Sequence, residues 1–184
     1  MRFGTDKAIA TSQPRSGPYN ESRGFTLVEL MIVLVIVAVI VMIAAPSFST
    51  LIQRTKLKAY ANEWVASVYL ARSEAIKRNA VMTLCTSTDG ATCTGGGNWE
   101  QGWLVMDPND TVIKYQQPLE PGIVLFEMSS IGFNTMAFQP SGVASDSAVL
   151  KLCQQEAASG VEAKILTVSM TGRPRIETKP DTCP

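Results

Sequence analysis

The chain has 184 residues, with 16 basic and 16 acidic side chains and no histidine. Zero formal net charge excludes bulk electrostatic attraction to nucleic acid, so any such binding has to be local. The missing histidine removes the commonest general base and the commonest metal ligand, and the length allows one membrane-anchored domain and no more.

Residues 1–23 are polar, hold Pro14, Gly17 and Pro18, and lack apolar periodicity, so they read as disordered. Arg2, Lys7, Arg15 and Arg23 outnumber Asp6 and Glu21, which leaves the remainder of the chain at net −2. The next stretch, Phe25 to Ala45, is 21 residues long with Glu29 as its only charge. As a helix it rises about 30 Å, the thickness of a bilayer's hydrocarbon core. Backbone amides in lipid pair within their own segment, which makes the stretch a transmembrane helix. It is too long for a secretory signal and no A-x-A site follows it. Positive residues ahead of it keep the N-terminus cytoplasmic and send the C-terminus across. A carboxylate at this depth is costly and points to a role.

The junction Arg23-Gly24-Phe25-Thr26-Leu27-Val28-Glu29 resembles the class III signal of type IV pilins and type II secretion pseudopilins. The resemblance implies that a prepilin peptidase cuts after Gly24, that Phe25 becomes the methylated N-terminal residue, and that Glu29 is the fifth mature residue. It also implies helix-on-helix filament assembly, in which the amine of Phe25 on one subunit neutralises Glu29 on a neighbour. Either charge buried alone would be expensive. The bland alternative is a signal-anchor helix with a stray glutamate. A 24-residue leader is long for the pilin type, which puts Met1 in question as the start.

Pro46 is expected to interrupt and kink the helix, since it deletes one backbone hydrogen bond, with the helix resuming to about Arg78. Leu57, Tyr60, Ala61, Trp64, Val68, Ala71 and Ala75 recur at steps of three and four and form one apolar stripe. Arg54, Lys56, Lys58, Glu63, Arg72 and Lys77 mostly fall off it. The stripe is expected to pack on a sheet.

From Val81 the period changes to two. Strands are expected at Val81–Thr86, Gly102–Met106, Thr111–Gln116, Gly122–Glu127, Thr135–Gln139, Ala148–Cys153 and Ala163–Met170, separated by turn signals such as Asp89-Gly90, Asp107-Pro108-Asn109, Pro140-Ser141-Gly142 and Ser159-Gly160. A long helix on an antiparallel sheet places the chain in the α+β class. Cys85, Cys93, Cys153 and Cys183 follow the membrane run, in an oxidising compartment, so disulfides are the default. Of three connectivities we expect Cys85–Cys93, closed by the Asp89-Gly90 turn, and Cys153–Cys183, which would tie down the tail. Zinc is disfavoured, because the spacing lacks C-x-x-C. The Gly95–Gly97 run lacks the order of a phosphate loop. No enzyme, cofactor or metal is expected.

The segments Ala71–Arg78 and Asn98–Val105 resemble GspH-like pseudopilins and FimT/FimU-like minor pilins, and Thr171-Gly172-Arg173-Pro174-Arg175 is similar to the G-R-x-R signature of FimT-like minor pilins. The resemblance implies weak DNA capture during natural transformation, carried by Gly172, Arg173 and Arg175. Arg173 and Arg175 fall on the same side of an extended segment and Lys179 follows. Arginine pairs with phosphate through two hydrogen bonds, and two or three such contacts give salt-sensitive, sequence-independent binding to double-stranded DNA. The alternative is that these are edge-strand charges that discourage sheet pairing and bridge to Glu177 or Asp181. The expected organisation is a cleaved leader over 1–24, a transmembrane and filament-core helix over 25–45, an amphipathic helix over 46–79 and a β-rich periplasmic or extracellular head over 80–184. The expected partners are other pilins or pseudopilins, the prepilin peptidase, the inner membrane and DNA. Either a type IV pilus or a type II secretion system would use such a subunit.

Overall fold

The computed structural model describes residues 24–96, 98–128, 133–157, 160–180 and 183, with backbone alone at 43–47. The expected leader, apart from Gly24, lies outside the described residues, as do Gly97, Ser159 and Asp181. The chain divides into two compact units at Val41/Met42.

The first unit holds the start of α1 (Leu27–Arg78). Its side chains are exposed throughout: Leu27, Leu30, Leu34, Val35, Ile40 and Val41 are all more than half accessible. Among the described residues no helix is long and apolar enough to cross a membrane. The helical residues with described side chains, Leu27–Met42, would rise about 24 Å against about 30 Å of hydrocarbon. The span expected over 25–45 is therefore only partly covered. The interruption expected at Pro46 is absent, because α1 is helical on both sides of it without a break. One missing N–H leaves the flanking backbone hydrogen bonds in place.

In the second unit the rest of α1 packs on eight strands. They are β1 (Met82–Thr86), β2 (Trp103–Met106), β3 (Val112–Gln116), β4 (Ile123–Glu127), β5 (Thr135–Phe138), β6 (Ala148–Gln154), β7 (Ala163–Val168) and β8 (Pro174–Lys179). The sequence suggests a single sheet, but the strands form two, ordered β3-β2-β1-β5 and β4-β6-β7-β8, antiparallel throughout. The architecture is α+β, as expected. Leu57, Ala61, Trp64, Val68, Ala71 and Ala75 are at most 1% exposed, and they meet Leu84, Val105 and Phe138 of one sheet and Leu125, Leu150 and Leu166 of the other in one core. Burying each large side chain is worth about 1.5–3 kcal/mol. Tyr60 packs on the margin of this core.

Two of its buried indoles find hydrogen-bond partners inside it, whereas the buried Trp64 Nε1 has none among the described residues. The Trp103 indole N–H donates to Ser67 Oγ at 2.9 Å, and the Trp99 indole N–H donates to the Phe133 carbonyl at 2.9 Å. Trp64 stands edge-on to Trp99, with ring centroids 5.9 Å apart.

The outer face of the first sheet is also covered. Cys85, Leu104 and Met106 are buried there beside Cys93, Val112 and Tyr115. The Cys85–Cys93 disulfide folds the loop between them over the sheet. A side chain at Gly90 would strike the Tyr115 ring at 2.8 Å.

Candidate assembly end and nucleic-acid interface

Two sites come from the sequence, one in each unit. At the first, Gly24 is exposed with no heavy atom within 4 Å of where a side chain would begin, and Phe25 is 79% exposed. The Gly24–Phe25 peptide bond therefore lies in open chain just ahead of the helix. The helix begins on a cap: the Glu29 backbone N–H donates to Thr26 Oγ1 at 3.2 Å, and the Leu30 N–H donates to the Thr26 carbonyl at 3.1 Å. Thr26-Leu27-Val28-Glu29 has the spacing of a capping box, in which a threonine starts the helix and a glutamate stands three residues on. Its negative charge also suits the positive end of the helix dipole. Glu29 thus has a local structural use besides the assembly role that the resemblance implies. A threonine followed three residues later by a glutamate, ahead of an apolar run, is the sequence signal for that use, and treating Glu29 only as a costly charge passes over it.

At the second, the tail, expected as an extended segment but not among the expected strands, is a strand. β8 pairs with β7 over six residues, from Val168–Pro174 to Ala163–Lys179, and forms one edge of its sheet. A tight turn precedes it: the Gly172 N–H donates to the Ser169 carbonyl at 2.8 Å and the Ser169 N–H to the Arg173 carbonyl at 3.2 Å. Beyond it, Cys183 is bonded to Cys153 of β6. The strand is held at both ends, so Arg173 and Arg175 stand on fixed backbone.

Alternation along β8 puts Arg175, Glu177 and Lys179 on one face. All three are exposed, as is Arg173 at the turn. The bridge between Arg175 and Glu177 that the sequence allows is not made. Among the described residues no carboxylate pairs with Arg173, Arg175 or Lys179.

Gly172 has a different place. It is buried, with φ +71, and a side chain there would meet the Gly142 carbonyl oxygen at 2.4 Å. That carbonyl accepts a hydrogen bond from Arg72 Nε at 2.9 Å. The close approach that the glycine permits is to this chain's own backbone, and its contribution to a ligand site is to set the turn that presents Arg173. Arg72 joins the two turns from α1, and nothing in local sequence signals it.

A family model described as "Type II transport protein GspH" matches residues 60–172, and one described as "Prokaryotic N-terminal methylation motif" matches residues 19–45. The chain is 29% identical over 167 residues to the pilin-like protein PilA1 of Thermus thermophilus, covering 84% of this chain and 98% of that one. Its fold is similar to the type IV minor pilin FimU of Pseudomonas aeruginosa in two crystal forms. One gives a TM-score of 0.52 at 19% identity, covering 69% of this chain and 90% of FimU. The other gives 0.50 at 18% identity, covering 65% and 91%. A capped apolar helix opening on Gly24-Phe25, a head of two antiparallel sheets and these matches place the chain: it belongs to the GspH family of pilin-like proteins, the group of minor pilins and pseudopilins.

Proposed function

We propose that this chain is a minor pilin of a type IV pilus that captures extracellular double-stranded DNA along β8 for natural transformation. The prepilin peptidase cuts after Gly24 and methylates Phe25. Until assembly the chain sits in the inner membrane as a single pass, N-terminus cytoplasmic. It then enters a periplasmic or surface filament among other pilins through its N-terminal helix, the Phe25 amine of one subunit meeting Glu29 of the next. The exposed apolar surface of Leu27–Met42 suits burial first in lipid and then among neighbouring helices.

One observation carries the DNA reading: Arg175 on a pinned edge strand and Arg173 at the turn before it are exposed, with no carboxylate partner among the described residues. Two guanidinium groups of this kind suit phosphate, and weak sites gain strength when many act together on a filament. The test is a mobility shift of a duplex at increasing salt. Binding that weakens with salt and disappears in Arg173→Ala/Arg175→Ala supports the reading, whereas unchanged binding in the double variant removes β8 from it.

The match over residues 60–172 to a type II transport protein supports a second reading, a minor pseudopilin of type II secretion without a DNA role. A deletion strain separates them: one predicts loss of transformation, the other loss of protein secretion.

A further inference from the structure

The opposite side of β8 carries a second cationic feature. Between α1 and the β7–β8 edge lies a groove of about 390 Å³, lined by Lys58, Ala61, Asn62, Lys164, Ile176 and Thr178. Ala61 and Ile176 give it an apolar floor, and the polar groups around them are mostly donors. Lys164 Nζ donates to Thr178 Oγ1 at 2.8 Å. The threonine oxygen is thereby engaged as an acceptor, and its own O–H is left to donate elsewhere. Lys58 carries three N–H donors, Lys164 keeps two, and the Asn62 amide adds two more. No carboxylate lines the groove, and among the described residues neither lysine is in an ion pair. A concave, donor-rich surface with low-dielectric walls concentrates positive potential and selects an anion.

We propose that this groove holds a backbone phosphate of the same nucleic acid that Arg173 and Arg175 contact, through Lys58 and Lys164 with Thr178 and Asn62 as neutral donors; this rests on the DNA reading above. Continuity favours nucleic acid over an acidic peptide. Thr178 and Ile176 of the groove alternate along one strand with Arg175 and Lys179, so a duplex laid along the open edge of β8 meets cations on both faces of that strand.

The experiment measures the binding of a random-sequence duplex by the full-length chain in an uncharged detergent, across a salt series. Deleting one cation that neutralises a phosphate lowers the slope of log K against log salt by about 1. Because both lysines face one phosphate, Lys58→Ala/Lys164→Ala is expected to lower the slope by about 1, and Lys58→Arg/Lys164→Arg to keep it at its original value. Lys77→Ala, which removes an exposed positive charge from the end of α1, is expected to leave the slope unchanged. If the lysine pair leaves the slope at its original value while Arg173→Ala/Arg175→Ala lowers it, the groove is not a phosphate site and the reading of β8 survives. An equal fall in Lys77→Ala also overturns the groove, because net charge alone would then explain the effect. If the lysine pair abolishes binding of a poly-glutamate peptide without any change in DNA binding, the groove belongs to an acidic partner and the proposal is overturned. A wild-type chain that binds no DNA at low salt overturns both readings together.

Discussion

The two ends of α1 obey the same backbone rules and bury opposite amounts of surface. Leu34 is 59% exposed and Met42 is 78% exposed, while Leu57, Trp64 and Val68 are fully buried. The difference lies in how the apolar residues are spaced. From Leu57 to Ala75 they recur at three and four and leave a polar face for water. From Leu30 to Val41 they occupy every position, so no single sheet could cover them. A helix that is apolar all round belongs inside something larger. One end therefore finds its partner within the chain, and the other needs one from outside.

Substitutions can break that contrast, beginning where the loss is largest. Trp64→Ala should cost about 3–5 kcal/mol in cavity and transfer terms, read as a lower melting temperature of the head, while Leu34→Ala should leave the same transition within about 0.5 kcal/mol. Comparable losses from the two would dissolve the distinction between the ends. Replacing Cys153 and Cys183 by serine opens a loop with a sequence separation of 30 and should cost roughly 3.6 kcal/mol by chain entropy, checked by denaturant unfolding. Gly172→Ala should cost about 1–3 kcal/mol for the left-handed backbone alone, with the Gly142 carbonyl in the way. Calorimetry of Gly172→Ala beside Arg173→Ala, which should be neutral, separates the turn's structural work from the arginine's.

Acid sharpens the picture with a smaller effect confined to the head. The backbone N–H groups of Thr92 and Ala91 hold the Asp89 carboxyl well below the usual carboxylate range. Those of Thr111 and Asn109 act the same way on Asp107, and the Lys56 ammonium does so on Glu120. A carboxyl depressed in the folded state stabilises above its unfolded value and loses that contribution as pH falls toward its folded value. The melting temperature should therefore decline below about pH 4, and Asp89→Asn should make the decline shallower. The smallest effect belongs to Glu29→Gln, which should leave the melting curve unchanged while abolishing incorporation into filaments.

Much of the fold is legible in the sequence because it is local. The stripe from Leu57 to Ala75 shows its period directly, and alternation with turn residues places seven strands to within two residues. β8 escapes such reading because Pro174-Arg175-Ile176-Glu177-Thr178-Lys179 offers one apolar residue; its pairing is set by β7 rather than by its own pattern. The split into two sheets is hidden for the same reason, since strand order is a matter of long-range pairing. The arginines of the candidate site are visible as a motif. Gly172's contact with Gly142, and the meeting of Lys58 with Lys164 across the groove, join residues far apart in sequence and leave no local trace.

The covalent link from Cys183 back to β6 has a mechanical consequence. A strand secured only by its ladder peels from a free end, one hydrogen-bonded pair after another. Here the hairpin closes one end and a sulfur bridge closes the other, so a pull along β8 loads many pairs at once in shear. A load applied along β8 then reaches the subunit through both ends of the strand and does not strip it from one.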